Sequence, residues 1–290
     1  MTDSTEVSIV IQSTPARVFE ALSDSQQLQR WFAEYADIDL AAGRYDFWGR
    51  HTPGNPERDS GRHAVTNYEP GKGFAFAWTV GGMDSSVQIA VRAEGDGAVA
   101  TVRHTATAPG ADPGALMTDF WCLSLQNLRG WIEHEDVAWR PDYSSFPVHE
   151  VRLSLRADAS VEDVFAALTE PEQLNRWIAE SATVEPVAGG VFDFGWPDEW
   201  GRPLKILEID APTRLVLDWA DGPEARSVVT WELEGSDGAT RITLVHNGFD
   251  GEGTHEDYYG GWADFLVRLK YMVEAGPSWE GPRVTEASYA

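Results

Sequence analysis

Apolar and polar residues alternate near the start of the chain at Val7, Ile9 and Ile11, and again near its middle at Leu153 and Leu155. A period of two is that of a half-buried strand. Each run leads into a short helical segment with its own start signal. Thr14-Pro15 opens the first, and Ser160 with Asp163 approximates a capping box at the second. Leu28, Trp31 and Phe32, and likewise Leu174, Trp177 and Ile178, predict a further short helix behind each. Alternating runs broken by Gly, Pro and Asp follow: Tyr45/Phe47, Val65, Phe74/Phe76/Trp78, Val87/Ile89/Val91 and Val102/His104. Their later counterparts are Phe192/Phe194, Ile206, Leu215/Leu217/Trp219, Val229/Trp231/Leu233 and Ile242/Leu244/His246. Both sets predict an antiparallel meander with one apolar face. The period then changes to that of a helix, through Trp121, Leu125, Leu128 and Ile132 and through Trp262, Leu266, Leu269 and Val273.

The two halves therefore predict the same unit, and their residues align. Phe19–Glu34 matches Phe165–Glu180 without gaps, with nine of the sixteen positions identical. The match continues through Gly43–Phe47 with Gly190–Phe194, Trp78 with Trp219, Thr101–His104 with Thr243–His246, and Trp121 with Trp262. The expected organisation is a first domain over residues 1–138, a linker over 139–149 broken by Pro141 and Pro147, a second domain over 150–276, and an irregular tail over 277–290. Each domain is expected to be α+β, with a curved antiparallel sheet wrapped around a long C-terminal helix.

Several motifs together carry a family resemblance. They are Val18-Phe-x-Ala-Leu22 and Val164-Phe-x-Ala-Leu168, the strands beginning at Gly43 and Gly190, the run Leu244-Val-His-Asn-Gly-Phe249, and Gly261-Trp262 leading to Leu269. The combination resembles the START-like (SRPBCC) superfamily, and within it the branch homologous to the activator of heat-shock-protein ATPase. The resemblance implies tandem helix-grip domains, each with a hydrophobic cavity that in relatives holds lipids, hormones or polyketides. It implies no particular reaction. The first copy departs from the pattern. Thr105-Ala-Thr107 follows its His104, Phe120 precedes its Trp121 where Gly is usual, and its loop from Trp48 to Gly61 is longer than the one from Gly195 to Gly201.

Charge narrows the class of partner. Twenty-two Lys and Arg stand against 47 Asp and Glu, a formal net charge of −25, and Lys72, Lys205 and Lys270 are the only lysines. Nucleic acid and anionic membrane surfaces are excluded as partners, because phosphate neutralisation needs clustered cations. No apolar run reaches the roughly 20 residues needed to span a bilayer, and the first residues lack the pattern of a signal peptide, so a cytoplasmic protein is expected. The single cysteine, Cys122, forms no internal disulfide and no cysteine-based metal site, and in so acidic a chain reads as buried and inert.

No phosphate loop, dinucleotide fingerprint, nucleophile elbow or metalloprotease motif occurs, so no catalytic residue, metal ligand or cofactor is assigned. Instead the inward-facing positions of the two meanders and closing helices are candidates to line a ligand: Tyr45, Phe47, Phe76, Trp78, His104 and Trp121 in one copy, and Phe192, Phe194, Trp219, Trp231, His246 and Trp262 in the other. Aromatic walls suit a small, flat apolar molecule. His104 and His246 share the parity of the inward residues, so each reads either as a ligand-orienting base or as a core imidazole bonded to a neighbour. Asp46 and Asp193 fall opposite the inward face, where solvent or a loop would meet them. Arg30-Trp31 and Arg176-Trp177 read as a helix anchor beside an arginine that pairs with acids. Trp48, His51, Trp196 and Trp200 lie on loops placed to cover a cavity mouth. Three functions fit: binding of a small hydrophobic ligand without a defined reaction, a didomain polyketide aromatase or cyclase, and a co-chaperone that activates a heat-shock ATPase. The sequence names no protein partner.

Overall fold

The computed structural model describes residues 4–107, 114–147, 149–197, 202–219, 227–249 and 255–286. It divides into two compact lobes, Met1–Phe146 with Pro282–Ala290, and Pro147–Gly281. Each is an α+β helix-grip domain with a curved antiparallel sheet and a long closing helix.

In the first lobe β1 (Ser4–Ile11) runs into α1 (Pro15–Ser23) and α2 (Ser25–Trp31). Pro15 takes the first helical position, where no N–H partner is needed, and Thr14 Oγ1 accepts from Arg17 N at 3.3 Å. Asp24 ends α1 in an extended conformation and starts α2, its carboxylate accepting from Gln26 N and Gln27 N at 2.9 Å. One residue thus makes the joint between the two helices. Next come β2 (Tyr35–Asp39), β3 (Arg44–Trp48), β4 (Val65–Glu69), β5 (Gly73–Val80), β6 (Met83–Glu94), β7 (Gly97–Ala106) and the closing helix α3 (Gly114–His134). β1, β7, β6, β5 and β4 pair in that order, and the β2–β3 hairpin extends the surface beyond β4. Tyr45 N donates to His63 O at 3.1 Å and Phe47 N to Gly61 O at 3.0 Å, which ties the hairpin to the chain just before β4. The apolar alternation faces one way, so Val7, Ile9, Ile11, Phe74, Phe76, Trp78, Val87 and Val102 are buried with Trp121, Leu125 and Leu128 of α3.

The second lobe repeats this order as β8 (Glu150–Ala157), α4 (Val161–Thr169), α5 (Pro171–Trp177), β9 (Thr183–Val184), β10 (Val191–Asp193), β11 (Leu204–Asp210), β12 (Arg214–Trp219), β13 (Ser227–Ser236), β14 (Ala239–Asn247) and α6 (Glu256–Ala275). Its sheet is one seven-stranded antiparallel array, β8-β14-β13-β12-β11-β10-β9. The capping reading of Ser160 holds, with its Oγ accepting from Asp163 N at 3.1 Å.

Three features differ from the sequence reading. β2 and β9 lack the alternation that marks the other strands, since β2 is half-buried or exposed along its length and β9 has two residues. The chain end read as irregular carries β15 (Arg283–Glu286), which pairs antiparallel with the outer side of β1 and holds Arg283 beside Glu94 at 3.0 Å. Four residues are too few to show a period, and an edge N–H row needs only a partner backbone, not an apolar one. The segment read as a linker packs on the first lobe. Asn127 Nδ2 donates to Trp139 O at 2.8 Å, Arg140 donates to Gln29 O and Ala33 O at 3.1 and 3.2 Å, and Tyr143 N donates to Arg50 O at 2.7 Å. Prolines break periodicity without preventing such contacts.

Candidate functional site

The register of the meander sets two polar side chains inside each grip. Ser85 pairs with Trp78 across β5 and β6, and His104 with Val87 across β6 and β7. His104 Nε2 lies 2.7 Å from Ser85 Oγ, which donates to Trp78 O at 2.7 Å, and Trp121 Nε1 of α3 donates to His104 Nδ1 at 3.1 Å. The second lobe repeats this chain. His246 Nε2 lies 2.8 Å from Ser227 Oγ, which donates to Trp219 O at 2.8 Å, and Trp262 Nε1 donates to His246 Nδ1 at 3.0 Å. An indole N–H only donates, so Nδ1 must offer its lone pair and the ring proton sits on Nε2, donating to the serine. Both nitrogens of each imidazole are then used within the protein.

A proton added to Nδ1 would face the indole N–H, in a fully buried position that leaves the charge poorly solvated. Burial holds His104 down to about 4, and burial with the neighbouring His255 holds His246 down to about 3. Both rings are neutral at ordinary pH. The geometry is that of core histidines, which fasten the closing helix to the meander through a buried polar path. The sequence reading missed Ser85 and Ser227. The legible signal was a serine at matching positions of two otherwise apolar inward runs.

The duplicated tryptophans ahead of the hairpins are anchors. Trp31 Nε1 donates to Ala21 O and Trp177 Nε1 to Ala167 O, both at 3.0 Å, locking the second small helix against the first in each lobe. Arg176 meets Gln173 Oε1 at 2.9 Å and the carbonyl of Gly276 instead of an acid. Asp46 takes the loop contact expected of it, accepting from His63 N at 3.1 Å, and Asp193 accepts from Gly195 N at 2.8 Å. Cys122 is fully buried. Among the described residues no cluster of His, Cys, Asp and Glu is placed to hold a metal, and no helix is long and apolar enough to cross a membrane.

Of the twelve predicted lining residues, eleven are buried and Trp219 is half-buried. In the first lobe they meet one another directly. Tyr45 packs on Phe76 at 4.9 Å, Phe47 on Trp78 at 5.4 Å, and Trp78 stacks on His104 at 5.5 Å between ring centroids. Tyr45 Oη donates to Leu22 O at 3.0 Å. Residues outside that predicted set complete the filling. Phe120 packs on Phe32, Trp78 and Trp121 at 5.6, 5.7 and 5.0 Å. Just after the long loop, His63 lies 4.1 Å from Phe47, and its burial holds it down to about 4. Asn55 is fully buried, and with its amide turned so that the oxygen faces the indole it accepts from Trp78 Nε1 at 2.7 Å and donates to Ser60 O at 3.0 Å. Gly61 lets this loop lie against β3, where a Cβ would stand 2.3 Å from Phe47 O.

The second lobe is built from the same scaffold with different rings. Trp196 folds over Phe194 at 4.3 Å, nearly parallel, faces Trp219 and Phe265 at 6.2 Å each, and donates from Nε1 to Ile178 O at 2.8 Å. Trp231 and Trp262 continue the cluster at 6.0 Å, and Trp177 meets Trp231 at 6.2 Å. Phe249 covers His246 at 4.4 Å. Trp196, Trp219 and Phe265 remain half-buried. Of the other loop residues expected at a mouth, Trp48 stacks outside on Tyr35, and His51 Nδ1 bonds Pro141 O at 2.8 Å. Trp200 lies outside the described residues.

No curated protein matches this chain. Among solved structures, an HSP90 activator from Plasmodium falciparum is 24% identical over 43% of this chain and 95% of its own, with a TM-score of 0.38. CalU16 from Micromonospora echinospora is 25% identical over 45% of this chain and 78% of its own, TM-score 0.37. DynU16, from the dynemicin biosynthetic locus, is 16% identical over 94% of this chain and 98% of its own, TM-score 0.36. The pattern described as Activator of Hsp90 ATPase homolog 1-like protein matches twice, over residues 12–133 and 158–274. Two successive matches that together span most of its length place the chain in the Activator of Hsp90 ATPase homolog 1-like family.

Proposed function

We propose that this protein binds a small hydrophobic molecule between sheet and closing helix, without carrying out a reaction on it. One observation carries the reading: the polar groups that the register sends inward, Ser85 with His104 and Ser227 with His246, are spent on each other and on the helix tryptophans. The ten other lining candidates are all aromatic. A ring-closing cyclase needs an acid or base with an atom facing its substrate, and an imidazole bonded at both nitrogens and held neutral offers none. The net charge of −25 disfavours anionic guests. The test is native mass spectrometry of the purified protein, followed by organic extraction and addition of uncharged aromatic probes. A bound apolar molecule, co-purifying or added, is the expected result. A chain that carries none and takes up none refutes the reading, and stimulation of a heat-shock ATPase by such a chain would favour the co-chaperone function instead.

A further inference from the structure

The two sheets end differently on the side of their first strand. β1 carries β15 on its outer side, whereas β8 pairs with β14 and, among the described residues, no strand covers its other side. β8 runs for eight residues without a proline, and its register with β14 has no bulge. Proline and bulges are common guards of an exposed edge, and this edge has neither.

Register fixes which backbone groups of β8 stand free. Leu233 N donates to Thr213 O at 2.8 Å, so the odd-numbered residues of β13 bond to β12 and the even-numbered ones to β14. Carried on through Thr230 opposite Val245 and Leu244 opposite Leu153, the alternation bonds Val151, Leu153, Leu155 and Ala157 to β14. The N–H and C=O groups of Glu150, Arg152, Ser154 and Arg156 therefore point outward. In the first lobe Thr107 N donates to Asp84 O at 2.9 Å, and the same alternation turns Glu6 and Ser8 toward Thr285 and Arg283 of β15. The equivalent edge of this fold thus already takes an antiparallel strand.

We infer that the β8 edge docks on the β8 edge of a second copy of this chain, antiparallel about a two-fold axis at Leu153. In that register Glu150 lies opposite Arg156 of the second copy and Arg152 opposite its Ser154, each twice by symmetry, so every outward backbone group of the strand finds a partner. Val151 then meets Leu155 on the buried face. Glu150 and Arg156 now pair with Arg152 at 2.8 Å and Asp158 at 3.1 Å, exposed ion pairs that cost little to share. A slip of two residues sets Arg152 opposite Arg152 in one direction and opposite Arg156 in the other, and a slip of one sets apolar side chains against charged ones. The arginines that spoil those pairings select this one. The surface lies outside both grip interiors, and the inference stands independently of ligand binding.

A strand of this length spans about 27 Å. Such a ribbon falls short of the roughly 1,200–2,000 Å² of a standard interface, so the dimer should dissociate between about 1 μM and about 1 mM. Sedimentation velocity of the full chain across that range, in about 0.15 M salt to screen the repulsion between copies of charge −25, should show monomer passing to dimer. Amide hydrogen exchange at Arg152, Ser154 and Arg156 should slow over the same range, while Val151 and Leu153 stay protected throughout. Glu150→Arg and Arg156→Glu should each weaken the dimer by about tenfold or more, and an equimolar mixture of the two variants should restore it, because each supplies the charge the other lacks. Ser154→Pro removes an N–H that β14 does not use, so it should abolish the dimer with the circular dichroism unchanged. A chain still monomeric at about 1 mM overturns the inference. So does a dimer that both single charge variants form as well as the unaltered chain, or a mixture of them that associates no better than its parts.

Discussion

Acid should destabilise this protein well above the pH at which its carboxylates titrate. Three histidines are buried and neutral: His63 and His104 in the first lobe, held down to about 4, and His246 in the second, held down to about 3. In the unfolded chain each returns to an ordinary value near 6.5. Below pH 6.5 the unfolded state therefore binds more protons than the folded one, so stability is complete above that value and is lost as pH falls toward the folded values. Between pH 7 and pH 5 an unfolded histidine becomes almost fully charged while a folded one with a value of 4 or lower stays neutral. The difference is about 2 kcal/mol for each ring, or about 4 kcal/mol in the first lobe and about 2 kcal/mol in the second. Losses of this size are a large part of the 5–15 kcal/mol typical of a domain. Urea unfolding at pH 7, 6 and 5, followed by tryptophan emission, should show midpoints that fall with pH, with the larger change in the transition of the first lobe. Proton NMR of the histidine rings should show three that do not titrate down to pH 5. Midpoints that hold steady or rise on acidification, or native rings that titrate near 6.5, would refute the claim that these imidazoles are locked neutral.

Other consequences are separable. Trp262→Phe removes the donor to His246 Nδ1, so it should cost about 1–3 kcal/mol and raise the titration midpoint of that ring, visible by NMR. Removing residues 282–290 leaves β1 as an edge, and hydrogen exchange should quicken at the β1 amides that face β15 while β8 is unchanged. Ser160→Ala deletes the cap of α4 and should lower stability by about 1 kcal/mol in chemical denaturation. Cys122, fully buried, should resist a thiol reagent in the native protein and react on adding denaturant.

Period and repetition are local properties, and they made most of the architecture legible. Alternation at Val7–Ile11 and Val229–Leu233 told strands from helices, the step from Trp121 to Ile132 marked the closing helix, and the match of Phe19–Glu34 with Phe165–Glu180 told one domain from two. Parity alone sent His104 and His246 inward. What parity cannot state is a partner. Whether an inward imidazole meets a guest or a serine depends on which residue of the neighbouring strand lies opposite and which helix residue reaches across. Ser85, Ser227, Trp121 and Trp262 became its partners only through register and helix placement. The same holds for β15, which has too little side-chain pattern to announce itself and exists because β1 had an unpaired backbone edge.

The sequence by itself determined that the chain is one α+β unit used twice, because hydrophobic period and duplication act along the chain. Only the tertiary structure decided how far each unit is filled. Volume is a sum over side chains arriving from distant segments, Phe120 with Asn55 and His63 in one lobe, Trp196 with Phe265 and Trp219 in the other. No local pattern along the chain records that sum.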